Sequence, residues 1–146
     1  MPGRPSGVSA IVRDLLGAVV PLSVRELERE VEERLSKVPT RLNEFGYDPF
    51  GFSPAGVQSS ALFAALLYRW YFRVETHDIQ RVPEGRALLI ANHAGQLPFD
   101  GMMISAAMLL ESEPPRIVRS MAEFWVPQLP WVNVIAARGG VLVGTP

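Results

Sequence analysis

The segment Ala91-Asn92-His93-Ala94-Gly95-Gln96-Leu97-Pro98-Phe99-Asp100-Gly101 decides how the fold and the chemistry of this chain are interpreted. It follows an apolar run, Ala87–Ile90, that is typical of a buried strand. An apolar helix is predicted after it, from Met102 to Leu110. The segment therefore predicts a histidine at the C-terminal end of a strand and a carboxylate at the start of the next helix.

The sequence around this segment predicts an α/β fold. Strands are predicted at 71–76, 86–91, 116–119 and 134–138. The first two are expected to pair in antiparallel fashion across a turn that contains Pro83-Glu84-Gly85. The order strand, helix, strand over residues 86–119 implies a parallel crossover. We therefore expect a helical N-terminal region followed by a mixed sheet with helices packed on it, incomplete at the C-terminus.

The N-terminal region, residues 1–67, is predicted to be a helical extension, followed by an α/β domain over 68–146. Apolar spacing predicts helices over 8–20, over 23–37 and from Pro54 to about residue 67. A loop over residues 41–53 separates the last two. Its aromatic side chains either pack beneath the loop or lie at a lipid interface, and they are Phe45, Tyr47, Phe50 and Phe52.

Composition excludes several classes of protein. The chain has 146 residues with a formal net charge of −1, which gives no general attraction to nucleic acid. It has no cysteine, so disulfides and thiolate metal sites are excluded. No apolar run approaches the roughly 20 residues that span a bilayer. A membrane-associated form of this chain would therefore lie on the membrane.

His93 and Asp100 are the best candidates for chemistry. An imidazole titrates near neutral pH, and a carboxylate bonded to one ring nitrogen fixes the tautomer that lets the other act as a base. A histidine at a strand end also commonly has a structural role. A metal site that adds His77 and Asp78 is disfavoured, because no close ligand spacing such as H-x3-H is present. Ser105 lacks the pattern of a nucleophile elbow.

The segment 91–101, in which Ala-Asn-His is followed by Gly and then by Pro-Phe-Asp-Gly, resembles the first motif of the glycerolipid acyltransferase family. The resemblance is to the lysophosphatidic acid acyltransferase type of that family. In that family a histidine and an aspartate, usually spaced H-x4-D, form a dyad in which the histidine deprotonates an acceptor hydroxyl. The resemblance implies that His93 is the general base and Asp100 its partner. The spacing here is H-x6-D, two residues longer, as in divergent members with Gly and Pro between the two.

The resemblance covers about residues 68–146. Leu129-Pro130-Trp131 and Arg138-Gly139-Gly140-Val141 are similar to the family's second motif region. This similarity implies substrate-binding roles for Arg138 and Gly139, together with Gly95 of the first motif. The family's third and fourth motifs are not found after the second, so the resemblance implies a domain truncated after the second motif.

The resemblance implies an enzyme of phospholipid biosynthesis that transfers a fatty acyl group to a glycerolipid hydroxyl. Acyl-CoA or acyl carrier protein would be the co-substrate, without a metal or other cofactor, and the enzyme would be cytoplasmic, peripheral to the inner face of the membrane. Two alternatives stay open. One is a truncated, inactive acyltransferase-like fragment that binds lipid, and the other is a hydrolase in which His93 activates water.

Overall fold

The computed structural model describes residues 22–93, 95, 97–125 and 128–143, and this part of the chain is mainly helical. The predicted helix over residues 8–20 lies outside the described residues. The α-helices are α1 (Leu22–Ser36), α2 (Pro54–Leu66), α3 (Phe99–Leu110) and α4 (Val132–Arg138). A π-helical turn (Leu67–Tyr71) extends α2, and a 3₁₀ turn covers Ile79–Arg81.

The predicted mixed sheet is wrong. Within the described residues, the strands are two-residue segments only, β1 (Met121–Ala122) and β2 (Leu142–Val143). They pair in parallel, with Met121 opposite Leu142. The described residues therefore contain no layer of sheet for helices to pack on, and their fold is helical with a single short parallel pairing.

The apolar run at residues 86–91 shows why the strand prediction failed. The side chains of Leu88 and Ile90 are 79% and 87% exposed. Among the described residues, no backbone hydrogen bond involves residues 86–92. A strand is defined by the ladder it shares with a neighbour, and an apolar run alone does not supply one.

The other predicted strands differ from expectation for local reasons. The segment 71–76 begins inside the π-helical turn and then bends, since Arg73 has a φ of 50° and the Val74 amide donates to the Tyr68 carbonyl at 3.0 Å. The segment 116–119 has no regular structure. Residues 134–138 belong to α4, because a short run mixing β-branched residues with alanine satisfies either period.

Helices α1 and α2 form where their sequence patterns predict them. In α1, Leu27, Val31 and Leu35 recur every four residues, and all three are buried. In α2, the Ser53 side chain caps the N-terminus by accepting from the Gly56 amide, and Pro54 occupies the first turn.

The core is formed by these helices together with α3, whose buried residues include Met103 and Leu110. Tyr68 is fully buried in the same core. One core therefore joins residues on both sides of position 67.

The π-helical turn determines which aromatic residues leave the core. The Phe72 amide donates to the Leu67 carbonyl at 2.8 Å, a bond over five residues. Tyr68 points inward, and its hydroxyl bonds to Thr76 at 2.5 Å and donates to Glu111 at 2.9 Å. Burial raises the pKa of Tyr68, and the hydrogen bond to Glu111 acts in the same direction. The neutral hydroxyl thus ties the end of α2 to the end of α3.

Among the helices of the described residues, none combines the length and the apolar character needed to cross a bilayer.

Candidate functional site

His93 and Asp100 are in direct contact. The Nδ1 atom of His93 lies 2.8 Å from Oδ2 of Asp100 and 3.0 Å from Oδ1. The His93 side chain is 57% exposed and the Asp100 side chain 30% exposed. The structure thus places a carboxylate on one ring nitrogen of a histidine that is open to solvent.

Helix α3 fixes the position of Asp100. The Met102 amide donates to the Pro98 carbonyl at 2.9 Å, which begins the helix. Asp100 lies in the first turn, where the helix dipole favours a negative charge. Its Oδ1 also accepts from the Gly101 amide at 2.7 Å. Because α3 buries residues of its later turns in the core, the carboxylate stands on a rigid element.

His93 reaches Asp100 from the other side, at the end of residues 86–93, hereafter the unpaired segment. The Arg116 side chain holds the chain just before this segment, where it donates to the carbonyls of Pro83 and Gly85. At the other end, the His93 ring meets Asp100. The two side chains, seven positions apart in the sequence, therefore meet although residues 86–92 form no strand.

This geometry selects a chemical state of the histidine. A carboxylate accepts hydrogen bonds, so it favours the tautomer with the proton on Nδ1. Nε2 then carries the lone pair and can accept a proton from a hydroxyl. The carboxylate stabilises the imidazolium that forms. The pair is thus capable of general-base chemistry at the surface of the molecule.

The other residues assigned by the sequence lie at different places. Gly95, which lies between His93 and Asp100 in the sequence, is exposed. Arg138 ends α4, where its carbonyl accepts from the Ser53 amide at 3.2 Å and its methylene groups lie against Gly56. Gly139 follows it in a turn. In the described part of the chain, no hydrogen bond or ion pair joins the Arg138 side chain to either member of the dyad.

A second polar cluster, built on Asp48 and Arg119, was not predicted from the sequence. Asp48 is buried and forms an ion pair with Arg119. Its Oδ1 also accepts from the amides of Phe50 and Phe52, at 2.8 and 3.0 Å. Burial opposes ionisation of Asp48, but these amides and the Arg119 guanidinium outweigh it, so the pKa of Asp48 lies below its usual value.

The order Asp48-Pro49-Phe50-Gly51 is the only sequence signal for this cluster, because Asp, then Pro, then Gly is typical of a tight turn. The Gly51 amide donates to the Asp48 carbonyl at 3.1 Å, as such a turn requires. The Arg119 guanidinium lies 5.0 Å from the centre of the Phe50 ring and 5.8 Å from that of Phe52. The cluster holds the loop over residues 41–53 against Arg119, which is a structural role.

A cleft of about 1040 Å³ opens beside the unpaired segment, and its walls come from residues 79–89 and 111–119. Arg86, Arg116 and Arg119 line it, together with Glu84 and Glu111, so its charge is mixed. His93 and Asp100 are not among the lining residues. The dyad is therefore not part of the cleft, although residues 86–89 of the unpaired segment line it.

The described residues contain no group of three or more His, Asp or Glu side chains placed to hold a metal ion. His77, which the sequence offered as a partner for such a site, lies 3.8 Å from Glu75 instead.

Comparison with known proteins gives relatives of unassigned function. The chain is 39% identical over 100 residues to uncharacterized proteins of Mycobacterium tuberculosis and Mycobacterium bovis. It is 38% identical over 100 residues to an uncharacterized protein of Mycobacterium leprae. These matches cover 68% of this chain but only 26 to 27% of the relatives, so the chain spans about a quarter of their length. No family model matches the chain, and no solved structure matches it significantly.

Proposed function

We propose that this chain carries the catalytic base of an O-acyltransferase, which moves a fatty acyl group from acyl-CoA or acyl carrier protein to a hydroxyl of a glycerolipid. The observation that supports this most directly is the contact of 2.8 Å between His93 and Asp100. The similarity of the segment 91–101 to the first acyltransferase motif supplies the reaction class.

In the proposed reaction, His93 acts as the base and Asp100 orients it. Nε2 of His93 removes the proton from the acceptor hydroxyl as its oxygen attacks the thioester carbonyl. The tetrahedral intermediate collapses with cleavage of the carbon–sulfur bond. The imidazolium returns its proton to the departing thiolate, so the products are an ester and a free thiol. Asp100 remains ionised and stabilises the imidazolium between the two proton transfers.

A direct attack fits this chain better than a covalent acyl-enzyme. The chain has no cysteine. Ser105 lies inside α3, where its hydroxyl donates to the Gly101 carbonyl at 2.8 Å. That hydrogen bond occupies the proton that a base would need to remove to make Ser105 a nucleophile.

The proposed enzyme works at the membrane surface, peripheral to its inner, cytoplasmic face. Its acceptor is a lysophospholipid or a related glycerolipid, and it needs no metal for the proton transfers described. Arg138, Gly139 and Gly95 would serve substrate binding in this proposal. For Arg138 this means contact with a polar headgroup, since its side chain has no ion-pair partner in the described residues.

The test is release of free thiol from acyl-CoA in the presence of a lysophospholipid. His93→Ala should lower the rate by about 10²–10⁴-fold, the usual contribution of a general base. His77→Ala is the matched control, since His77 is also exposed and is the other histidine of the chain. Equal rates for His93→Ala and His77→Ala would reject the assignment of the base. Free fatty acid formed without an acceptor would instead favour a hydrolase, and lipid binding without turnover would favour a non-catalytic role.

A further inference from the structure

The strongest unexplained feature is a set of exposed aromatic and apolar side chains beside the dyad. It comprises Trp70, Tyr71, Phe72, Leu97 and Phe99, each of which is exposed. We call this set the aromatic surface. Monomeric proteins seldom leave several large apolar side chains together in water unless they bind something.

Ring contacts make the aromatic surface continuous from the end of α2 to the start of α3. The rings of Tyr71 and Phe72 meet edge to face with centres 4.8 Å apart. The rings of Phe72 and Phe99 lie 5.5 Å apart. Phe99 immediately precedes Asp100 in the first turn of α3. The aromatic surface therefore adjoins the dyad through the backbone of Phe99.

Backbone irregularities produce this exposure. The π-helical turn follows α2 and shifts the helical phase, so Tyr68 is buried while Trp70 and Tyr71 are exposed. Arg73 follows with a left-handed φ of 50°, which turns the chain away from the helix axis. A π-helical turn of this kind is frequent at functional sites.

The charges beside the aromatic surface favour an anionic partner. Arg69 forms ion pairs with Glu30 and Glu111. Arg73 is exposed, and no ion pair or hydrogen bond engages its side chain within the described residues. Glu75 is the nearest acidic residue along the chain, and it lies close to His77. Arg73 is thus an uncompensated positive charge next to Tyr71 and Phe72.

We propose that the aromatic surface docks on an anionic lipid bilayer, with Trp70 and Tyr71 inserted at the headgroup level and Arg73 against lipid phosphate. Tryptophan, tyrosine and arginine are the side chains enriched at bilayer interfaces, because each combines an apolar body with a polar end. The proposal rests on the proposed function in one respect. A bilayer docked beside Asp100 brings a lipid hydroxyl to His93.

The test is co-sedimentation of the 146-residue chain with vesicles of phosphatidylcholine, alone or mixed with an equal part of phosphatidylglycerol. The double variant Trp70→Ser/Tyr71→Ser should bind mixed vesicles at least about tenfold more weakly, since two aromatic anchors are lost. Arg73→Glu should lower the preference for the mixed vesicles by roughly fivefold or more. Phe124→Ser/Trp125→Ser is the matched control, because Phe124 and Trp125 are also adjacent exposed aromatic residues, at 61% and 48%.

Equal vesicle binding by Trp70→Ser/Tyr71→Ser and by the control Phe124→Ser/Trp125→Ser would overturn the proposal. So would a change from dimer to monomer in the Trp70→Ser/Tyr71→Ser variant with unchanged vesicle binding, since the aromatic surface would then join two copies of the chain. Circular dichroism should show the same helicity for both variants as for the parent. Neither variant changes a core residue, since all the substituted side chains are exposed. Arg73→Glu leaves every aromatic ring in place and tests the proposal independently.

Failure of docking and failure of the proposed catalysis are distinguishable. His93→Ala should bind vesicles as the parent does, whatever its effect on turnover. With a short-chain acceptor dissolved as monomers, the Trp70→Ser/Tyr71→Ser variant should keep the parent rate and lose rate only on vesicles. A loss of rate on the dissolved acceptor would show that the aromatic surface serves the reaction and not the membrane.

Discussion

Asp100→Asn isolates the contribution of one negative charge to the candidate site. Asparagine is nearly isosteric with aspartate, and its side-chain oxygen can still accept from the Gly101 amide as Oδ1 of Asp100 does at 2.7 Å. The start of α3 should therefore be unchanged. What changes is the group that faces Nδ1 of His93.

The loss has two parts, each of which can be sized from the structure. At the observed 2.8 Å, opposite unit charges attract by about 1.5 kcal/mol in a water-like dielectric. A water-like dielectric applies because the His93 side chain is 57% exposed. An attraction of this size, if lost from the transition state, corresponds to about a tenfold lower rate. A buried pair would lose considerably more.

The second part concerns the tautomer. The amide nitrogen of an asparagine at this position can donate to Nδ1, which favours the tautomer with the proton on Nε2. That tautomer has no lone pair on Nε2 to accept the proton of a hydroxyl. One hydrogen bond of about 1 kcal/mol biases the ring several-fold toward this unproductive form. Together the two parts predict a rate between about 10- and 10²-fold below that of the parent.

The assay is the initial rate of thiol release from acyl-CoA with saturating lysophospholipid, beside thermal unfolding followed by circular dichroism. The unfolding midpoint should move little, because the pair is half exposed. His93→Ala should be slower than Asp100→Asn, since it removes the base itself. A rate for Asp100→Asn within twofold of the parent would refute the reasoning, and so would a rate below that of His93→Ala.

The Asp48 cluster and a glycine beside it give two predictions about stability. The depressed pKa of Asp48 contributes stability that is fully present above the unfolded value near 3.9 and is lost as the pH falls through the lower folded value. Asp48→Asn should therefore lower the free energy of unfolding by about 1.5–3 kcal/mol at pH 7. It should also make that free energy less dependent on pH below about 4, which thermal unfolding across that range would measure. Equal acid sensitivity of the variant and the parent would contradict this prediction. Gly140→Ala should cost more than about 1 kcal/mol, because its φ is 71° and a Cβ there would collide with Arg119 and lie 3.1 Å from Phe52 Cβ. Gly85→Ala is the control, because Gly85 has a φ of 80° but open space around it, so its substitution adds backbone strain without a collision. Denaturant unfolding should show a smaller loss of free energy of unfolding for Gly85→Ala than for Gly140→Ala.

The sequence predicted α1 and α2 well, for a physical reason. The four-residue recurrence of Leu27, Val31 and Leu35 reports burial directly, and a helix needs only its own backbone for its hydrogen bonds. The start of α2 was also predictable, because Ser53 caps the helix and Pro54 fits its first turn. Each of these signals is contained within a few positions of the element that it predicts.

The sheet was not predictable in the same way. The run Ala87–Ile90 indicates a hydrophobic segment, but a strand also requires a neighbour whose position no local pattern reports. Residues 134–138 fit either period over so short a length, and packing on α2 settled them as helix. The Asp48–Arg119 pair joins residues 71 positions apart, and only the turn at Asp48 carries a local signal.

The contact between His93 and Asp100 formed although the strand expected to deliver the histidine did not. Asp100 stands on α3, which the core holds, whereas His93 ends an unpaired segment that Arg116 holds only at its beginning, through Pro83 and Gly85. The two halves of the site are therefore anchored differently, Asp100 by a helix of the core and His93 by its contact with Asp100. Because the carboxylate is the fixed partner, it sets the position and the tautomer of the imidazole, and not the reverse. The H-x6-D spacing is compatible with a dyad, because Asp100 keeps its place in the first turn of α3 and the two side chains still meet at 2.8 Å.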